Sequence, residues 1–454
     1  MKAIKIFLAA FLFWLACSGC TKFLDKKSDQ RLSTFRTVAD LQSLLDDEFR
    51  LPMNFPSAPE VGADNLTMTN DAFNGMVDVE RNRFIWAPDF VFNTETLNEW
   101  GLVYRVVNVA NVVLDNVDNV TDDSGDEVAR KTLRGHAYFF RGYCFMKAAD
   151  VWCKAYHPDS SKSDLGLPLR LNANFLEPSV RSSLMETFQQ IEHDLIQAAD
   201  LLPVTNLNPI RPSKPAAFGA LARLYLLMGN FEKAGKYADS CLALHNTLMD
   251  YNVHGGEIKP AEIYPFRRQN SEVIFDSGSD GSGTSLYRGK VDTAFYNSYS
   301  DDDWRKTLFY RKENDSTALF RGTYMGGPYF SGITTGEMYL VRAESYGRTG
   351  KIHTALNDVN FLLSNRYKTG TYTEFSSSDA TIVINYILEH RRKELAFRML
   401  RWSDIKRLNR LGYDIVQKRR LNGTWFVLNP NDPRYAMALP EIVIQRSGML
   451  QNPR

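Results

Sequence analysis

Cysteine is scarce, with five residues in 454, too few and too widely spread for the dense disulfide framework of a small secreted fold. No charge of one sign dominates. Lys and Arg total 54 against 53 Asp and Glu, a formal net charge of +1 at pH 7. That balance removes the electrostatic case for a duplex nucleic-acid binder or a polybasic membrane-surface protein. Histidine is also sparse. The seven residues, at 136, 157, 193, 245, 254, 353 and 390, form no HxxxH or HExxH spacing, and no catalytic or metal-binding constellation rises above chance. Long apolar runs are missing too, because Ile6–Ala16 covers only eleven residues. At ~1.5 Å per residue such a run crosses roughly half of a bilayer core of about 30 Å, so it reads as a signal segment and not as a spanning helix. What the chain does have is 44 % hydrophobic residues and an aromatic content of 12 %, enough to bury a large core and leave rings over. Disorder, collagen and a multi-span membrane protein are excluded.

Lys2 and Lys5 precede the apolar run, and Cys17-Ser18-Gly19-Cys20-Thr21 follows it. This resembles a bacterial lipoprotein signal, which implies removal of residues 1–19 and acylation of Cys20, with Cys17 as the second choice. Loss of both lysines would leave the mature chain at a net charge of about −1. Each buried acyl methylene contributes about 0.8 kcal/mol, so two or three chains anchor a protein without a spanning helix. Cys144, Cys153 and Cys241 remain. Cys144 and Cys153 would lie ~13 Å apart along a shared helix, too far to bridge, and all three read as buried small hydrophobes.

Helical periodicity dominates the rest. Leu97, Trp100, Tyr104, Val107, Asn111 and Leu114 make one stripe, and Leu133, Ala137, Phe140, Cys144, Ala148 and Val151 make a second. Phe188, Ile191, Leu195, Ala198 and Leu202 make a third, opened by the capping box Ser183-x-x-Glu186 and closed by Pro203. An internal repeat is more informative. Ala222, Tyr225, Gly229, Phe231 and Ala234 recur 121 positions later as Ala343, Tyr346, Gly350, Ile352 and Ala355. The spacing matches the middle of a tetratricopeptide repeat, in which small residues let two antiparallel helices approach and the glycine turns the corner. Asp358 falls where Tyr237 stands in the first copy. These patterns predict a helical-hairpin scaffold over about 97–248 and 337–410. Two stretches, about 52–96 and 249–335, read instead as a loop-rich lobe; eleven aromatics lie between Tyr287 and Phe330. Asp122–Glu127 reads as a turn and helix start and not as a calcium loop. Gly278–Gly283 lacks the Lys and Ser/Thr of a phosphate loop, and His136 reads as a satisfied structural residue.

Several separated segments together resemble the SusD/RagB family, surface lipoproteins of nutrient-uptake systems in Bacteroidetes. They are Cys20-Thr21-Lys22-Phe23-Leu24-Asp25; Trp100, Tyr104, Asn108 and Asn111; Leu133 to Tyr143 with Gly166-Leu167-Pro168-Leu169; Glu337 to Glu344 with Ala355 to Asn360; Arg391 to Phe397 with Arg401, Asp404 and Arg407; and Leu439-Pro440 through Gln451-Asn452-Pro453. Arg398-Met399 stands where the family usually has Glu-Gly, and Arg391 where it usually has Glu. These helix positions are expected to hold a structural ion-pair lattice. The resemblance implies a mostly α fold: a tetratricopeptide-like hairpin scaffold carrying a loop-rich lobe, in one domain over residues 20–454. It also implies binding without chemistry, hence no enzyme activity; the residues name no cofactor and no metal-ligand set, and leave open whether a metal ion binds. The implied partners are a SusC-like TonB-dependent outer-membrane transporter and an oligosaccharide, with peptide as the alternative cargo. The implied place is the outer membrane, lipid-anchored and facing the exterior.

Sugar rings stack their C–H faces on aromatic rings, and their hydroxyls need amide, carboxylate or guanidinium partners. Both irregular stretches supply these groups. Asp64, Asn65, Phe73, Asn74 and Trp86 are the candidate ligand residues of the first, and Tyr287, Arg288, Tyr296 and Trp304 those of the second. Trp304 lies in Asp303-Trp304-Arg305, which resembles a scaffold segment of the family. Two other classes compete with this reading. A secreted hydrolase predicts product formation abolished by one Asp or Glu change. A repeat scaffold that binds only proteins predicts no glycan or peptide affinity.

Overall fold

The computed structural model describes residues 35–47, 53, 55–92, 98–120, 127–279, 285–314 and 317–454. Cys17, Cys20, Leu97, Asp122–Asp126 and the part of the glycine-rich run after Ser279 lie outside the described residues. The remainder is mostly α. The scaffold helices are α1 (Val38–Leu45), α2 (Glu99–Asn116), α3 (Glu127–Trp152), α4 (Leu184–Leu201), α5 (Lys214–Leu227), α6 (Phe231–Leu244), α7 (Thr335–Arg348), α8 (Ile352–Ser364), α9 (Ala380–Glu394) and α10 (Arg401–Arg410).

Their starts follow from local sequence. Ser183 caps α4 and Glu186 returns the bond to the Ser183 backbone, the capping box read from sequence. Asn98, Asn230, Thr334 and Asp379 each accept a backbone N–H at the start of α2, α6, α7 and α9. The repeat is real structure, since α5–α6 and α7–α8 are both antiparallel hairpins. Gly229 and Gly350 occupy their corners at φ +73° and +81°, where a side chain would be strained. Asp358 of α8, at the position of Tyr237 in the first copy, has a pairing role of its own. It accepts two hydrogen bonds from Arg342 at 2.9 and 2.7 Å, and Arg342 also reaches Asp239 of α6 at 2.8 Å, tying one hairpin to the next.

The stripe expected on α3 is too narrow. Nearly every side chain from Gly135 to Trp152 is buried, because α1, α2 and α4 enclose the helix. One buried charge on it is paired in full: Arg141 forks onto Asp194 of α4 with two bonds of 2.8 Å and also donates to Asn111 of α2. Cys144, Cys153 and Cys241 are free and buried, as expected. His136 is a buried structural residue, as expected. Its Nδ1 lies 3.1 Å from Gln42, and burial followed by the nearby Arg211 charge pulls its pKa down to about 4.

The expected ion-pair lattice joins α7, α9 and α10. Asp404 accepts from Arg391 and Arg407 at 2.9 and 2.8 Å, and Glu344 accepts from Arg407 and Arg348 at 2.7 and 2.9 Å. Arg398 leaves that lattice and lies over the rings of Tyr324 and Phe330 at 3.8 and 4.9 Å. Met399, at the usual glycine position, adopts φ +60°, which explains why glycine suits that place.

The lobe is not structureless. Short helices Ala58–Gly62, Asn70–Asn74 and Asp78–Phe84 occupy its first stretch, and Ser285–Arg288, Thr293–Asn297 and Trp304–Leu308 its second. Two-stranded antiparallel ribbons link them, including Leu66–Thr67 with Lys290–Val291 and the hairpin Tyr310–Asn314 with Thr317–Phe320. With so little backbone pairing, the lobe builds its own aromatic core. Phe295, Tyr299, Phe309, Tyr310, Tyr324, Tyr329 and Phe330 are all buried in it.

Buried ions fasten lobe to scaffold. Arg366, just after α8, donates to Glu394 of α9 and to Glu272 before the short strand Val273–Phe275, at 3.0 and 2.8 Å. Glu394 also accepts from Arg305 of the lobe at 3.0 Å, and Arg305 forks onto Asp303. Arg305 and Arg366 are wholly inaccessible to solvent. The first stretch is fastened by three arginines. Arg401 forks onto Asp64 at 2.7 and 2.9 Å, Arg392 bonds Asn65, and Arg419 donates to the backbone of Val61, Ala63 and Phe84.

Two stability outcomes follow. Replacing Arg366 by Leu leaves Glu272 and Glu394 buried without their shared cation, and urea unfolding should show a loss of about 3–5 kcal/mol; a loss below about 1 kcal/mol would contradict the described network. Glu60, wholly buried, has its pKa raised by burial from 4.5 to about 7, although Asn65 and the Met399 N–H donate to it. A carboxyl whose folded pKa is raised holds its proton longer folded than unfolded, so stability falls as pH rises from about 4.5 to 7. Wild type should therefore lose about 3 kcal/mol relative to Glu60→Gln between about pH 4 and pH 8 in paired denaturant titrations.

Candidate functional site

The Leu66–Thr67 and Lys290–Val291 ribbon separates two surface depressions that share Leu66. The first, of about 160 Å³, is built almost entirely by the lobe. Its floor is a run of rings. Tyr287 lies 6.1 Å from Tyr329, which stacks on Phe320 at 5.9 Å and 13°, and Phe320 stacks on Phe397 at 4.6 Å. Tyr329 and Phe397 belong to the aromatic core of the lobe, so the floor is fixed before any ligand arrives. Tyr287, at the end of the helix Ser285–Arg288, leaves 56 % of its surface exposed. Ile263, Tyr264, Lys290, Arg311 and Arg321 complete the walls.

The second depression, of about 480 Å³, lies where the first stretch meets the hairpin Gln417–Leu421 and Thr424–Leu428. Asn422 and Gly423 turn this hairpin with φ of +49° and +81°, the pair of left-handed residues that a two-residue turn requires. Alternation then sends Lys418 and Arg420 to solvent on the face carrying Trp425, whose surface is 60 % exposed, and sends Arg419 inward. Arg420 lies 5.8 Å from the Trp425 ring. Arg419 is sandwiched against Phe84 and Trp86 at 3.7 and 4.4 Å, and burial lowers its pKa to about 9. Burial alone would raise the pKa of Asp64, but Arg401 and Arg392 hold its carboxyl well below the usual carboxylate range.

The nine residues expected to meet ligand separate into groups. Tyr287 lines the first depression, and Asp64 and Trp86 line the second. Trp86 is 4 % exposed and its indole N–H donates to the Gly62 carbonyl, so it is a wall support and not an open platform. Asn65 is buried outright, its amide donating to Glu60 and accepting from Arg392; those two bonds make it a structural residue. Phe73 packs into the lobe core beside Phe84. Asn74 is exposed and exchanges side-chain amide bonds with Asn422 at the hairpin tip. Arg288 is exposed and donates to the Gly75 carbonyl, between the two stretches. Tyr296 packs on Tyr310 under Lys306. Trp304 donates to Asn252 and meets His254 edge-on, apart from both depressions. Tyr264, Phe320 and Trp425 also line the two depressions, and sequence reasoning does not single them out. The Asn-Gly pair between two alternating runs was a usable signal for the hairpin that presents Trp425; nothing local marked the other two.

Comparison with known proteins agrees with this architecture. Residues 22–226 match a SusD-like family described as starch-binding and associating with the outer membrane, and residues 244–438 match the SusD/RagB family, described as the SusD family. SusD-like protein P2 of Formosa agariphila is 23 % identical over 93 % of this chain and 93 % of its own length. A SusD superfamily protein from Bacteroides thetaiotaomicron superposes with a TM-score of 0.74 at 20 % identity, covering 92 % of this chain and all of that one. A protein from Bacteroides vulgatus described as sugar-binding gives 0.75 at 17 % identity, covering 93 % of this chain and 99 % of that one. With both halves matched in order, the chain belongs to the SusD/RagB family.

Proposed function

We propose that this protein is an outer-membrane lipoprotein, anchored through acylated Cys20 and facing the exterior. In this role it captures oligosaccharide and passes it to a SusC-like TonB-dependent transporter without performing a reaction. The observation that carries the reading is the exposed Tyr287 ring set on a fixed aromatic floor between polar walls. That arrangement offers a sugar ring one flat face and several hydrogen-bond donors at no ordering cost. The family description as starch-binding, and the sugar-binding description of the Bacteroides vulgatus protein, support carbohydrate as the ligand class. The small-residue run ending in Cys20 supports the lipid anchor.

A glycan and peptide array identifies the cargo, and calorimetry on the best oligosaccharide then measures the site. Tyr287→Ala should weaken binding by about 1–2 kcal/mol, roughly tenfold in Kd, with the melting temperature unchanged. An unchanged Kd, binding of peptides alone, or turnover of the glycan by the purified chain would overturn the reading. In cells, Cys20→Ala should abolish labelled palmitate incorporation and move the protein from the membrane to the soluble fraction, whereas wild type should co-purify with a TonB-dependent barrel. Persistence of the label in the variant would instead point to Cys17.

A further inference from the structure

The first depression carries a charge asymmetry that neutral-sugar binding does not need. Among its described lining residues are three cations, Lys290, Arg311 and Arg321, and no carboxylate. The whole chain is balanced at 54 basic and 53 acidic residues, so this wall is a local departure. Several buried arginines are spent on carboxylates, as Arg141, Arg223, Arg366 and Arg407 are. Arg311 is not. It stands exposed on the strand Tyr310–Asn314, and its guanidinium forms no ion pair or hydrogen bond among the described residues.

Arg321 is held differently, with the same result. Its guanidinium donates to the carbonyls of Glu262, Pro260 and Thr307 at 3.0, 3.1 and 2.8 Å. These acceptors are neutral, so they orient the group without compensating its charge. Its Nε is buried with no acceptor. Burial, and then the neighbouring Arg311 charge, lower its pKa, as two cations sharing a place without a counter-ion require. Among the described residues, Lys290 alone of the three has a carboxylate partner, Glu313 at 2.5 Å.

Resting on the glycan reading of this site, we infer that the depression selects anionic saccharides, the Tyr287 ring stacking on a sugar while Arg311 and Arg321 receive its carboxylate or sulfate. A planar guanidinium matches either oxyanion with paired N–H bonds, and a charge-assisted bond is about twice as strong as a neutral one. An arriving anion also removes the repulsion between the two arginines, a gain that a neutral sugar cannot provide. Uronate and sulfate ester present the same chemistry to this wall, and the choice of probe tells them apart.

The test is calorimetric titration of the purified mature chain with three tetrasaccharides: an oligogalacturonate, a sulfated galactan fragment and a neutral gluco-oligosaccharide. At least one charged probe should bind about tenfold or more tighter than the neutral one, and whichever does names the oxyanion. The preference should shrink between roughly 0.01 M and 1 M salt, as the screening length drops from about 30 to about 3 Å. Arg311→Gln should bring the charged-to-neutral affinity ratio close to one, while Arg311→Lys retains part of it. Since Arg311 is exposed and has no partner among the described residues, neither variant should alter the melting temperature. A neutral probe binding as tightly as both charged ones would overturn the anionic preference and leave the glycan reading standing. Failure of all three probes, with glycans also silent on the array, would overturn both.

Discussion

The buried cluster of Arg366, Glu272, Glu394, Arg305 and Asp303 is the joint on which the rest of the molecule depends. The scaffold would be a stack of hairpins without it, and the lobe a collection of short helices and two-residue ribbons too small to hold their own positions. Charges taken out of water are costly one by one and tolerable only as a completed set. The joint is therefore closed or broken as a unit, and it places residues 272, 305, 366 and 394 in one register. The aromatic floor beside Tyr287 inherits its rigidity from that register, because Phe397 follows Glu394 by three residues and lies against Phe320.

The surplus of aromatics has a use different from the one their number invites. Most rings between Tyr287 and Phe330 fill the interior of a lobe that has few other means of cohesion, and only a fringe reaches the surface. A binding surface that is the edge of a core behaves unlike one made of free loops: its rings are already oriented and cost little entropy to engage.

Much of the scaffold was legible because its signals are local. The 121-residue repeat, the Ser183 capping box, the two corner glycines and the arginine-rich signature near 391–407 each depend on neighbours within a turn or two. The site was legible only in outline. Residue types placed it in the two irregular stretches, yet could not say that Asn65 is consumed by Glu60 and Arg392, since Arg392 lies 327 positions away. Trp86 likewise looks like a platform until Arg419, from the far end of the chain, covers it. Burial decided by distant partners leaves no trace in spacing. Met399 shows the converse, a departure from the family pattern whose meaning appears only as a backbone angle.

The exchange of amide bonds between Asn74 and Asn422 joins positions 348 apart, and Arg392, Arg401 and Arg419 reach back to the same early strip. Nascent polypeptide emerges from its first residue onward, so Phe84 and Trp86 lack their Arg419 cover until the final tenth of the chain has been synthesised. The same delay leaves bare indole and phenyl groups for holding chaperones to shield, and any product truncated before the last hairpin would keep them exposed and be prone to clump.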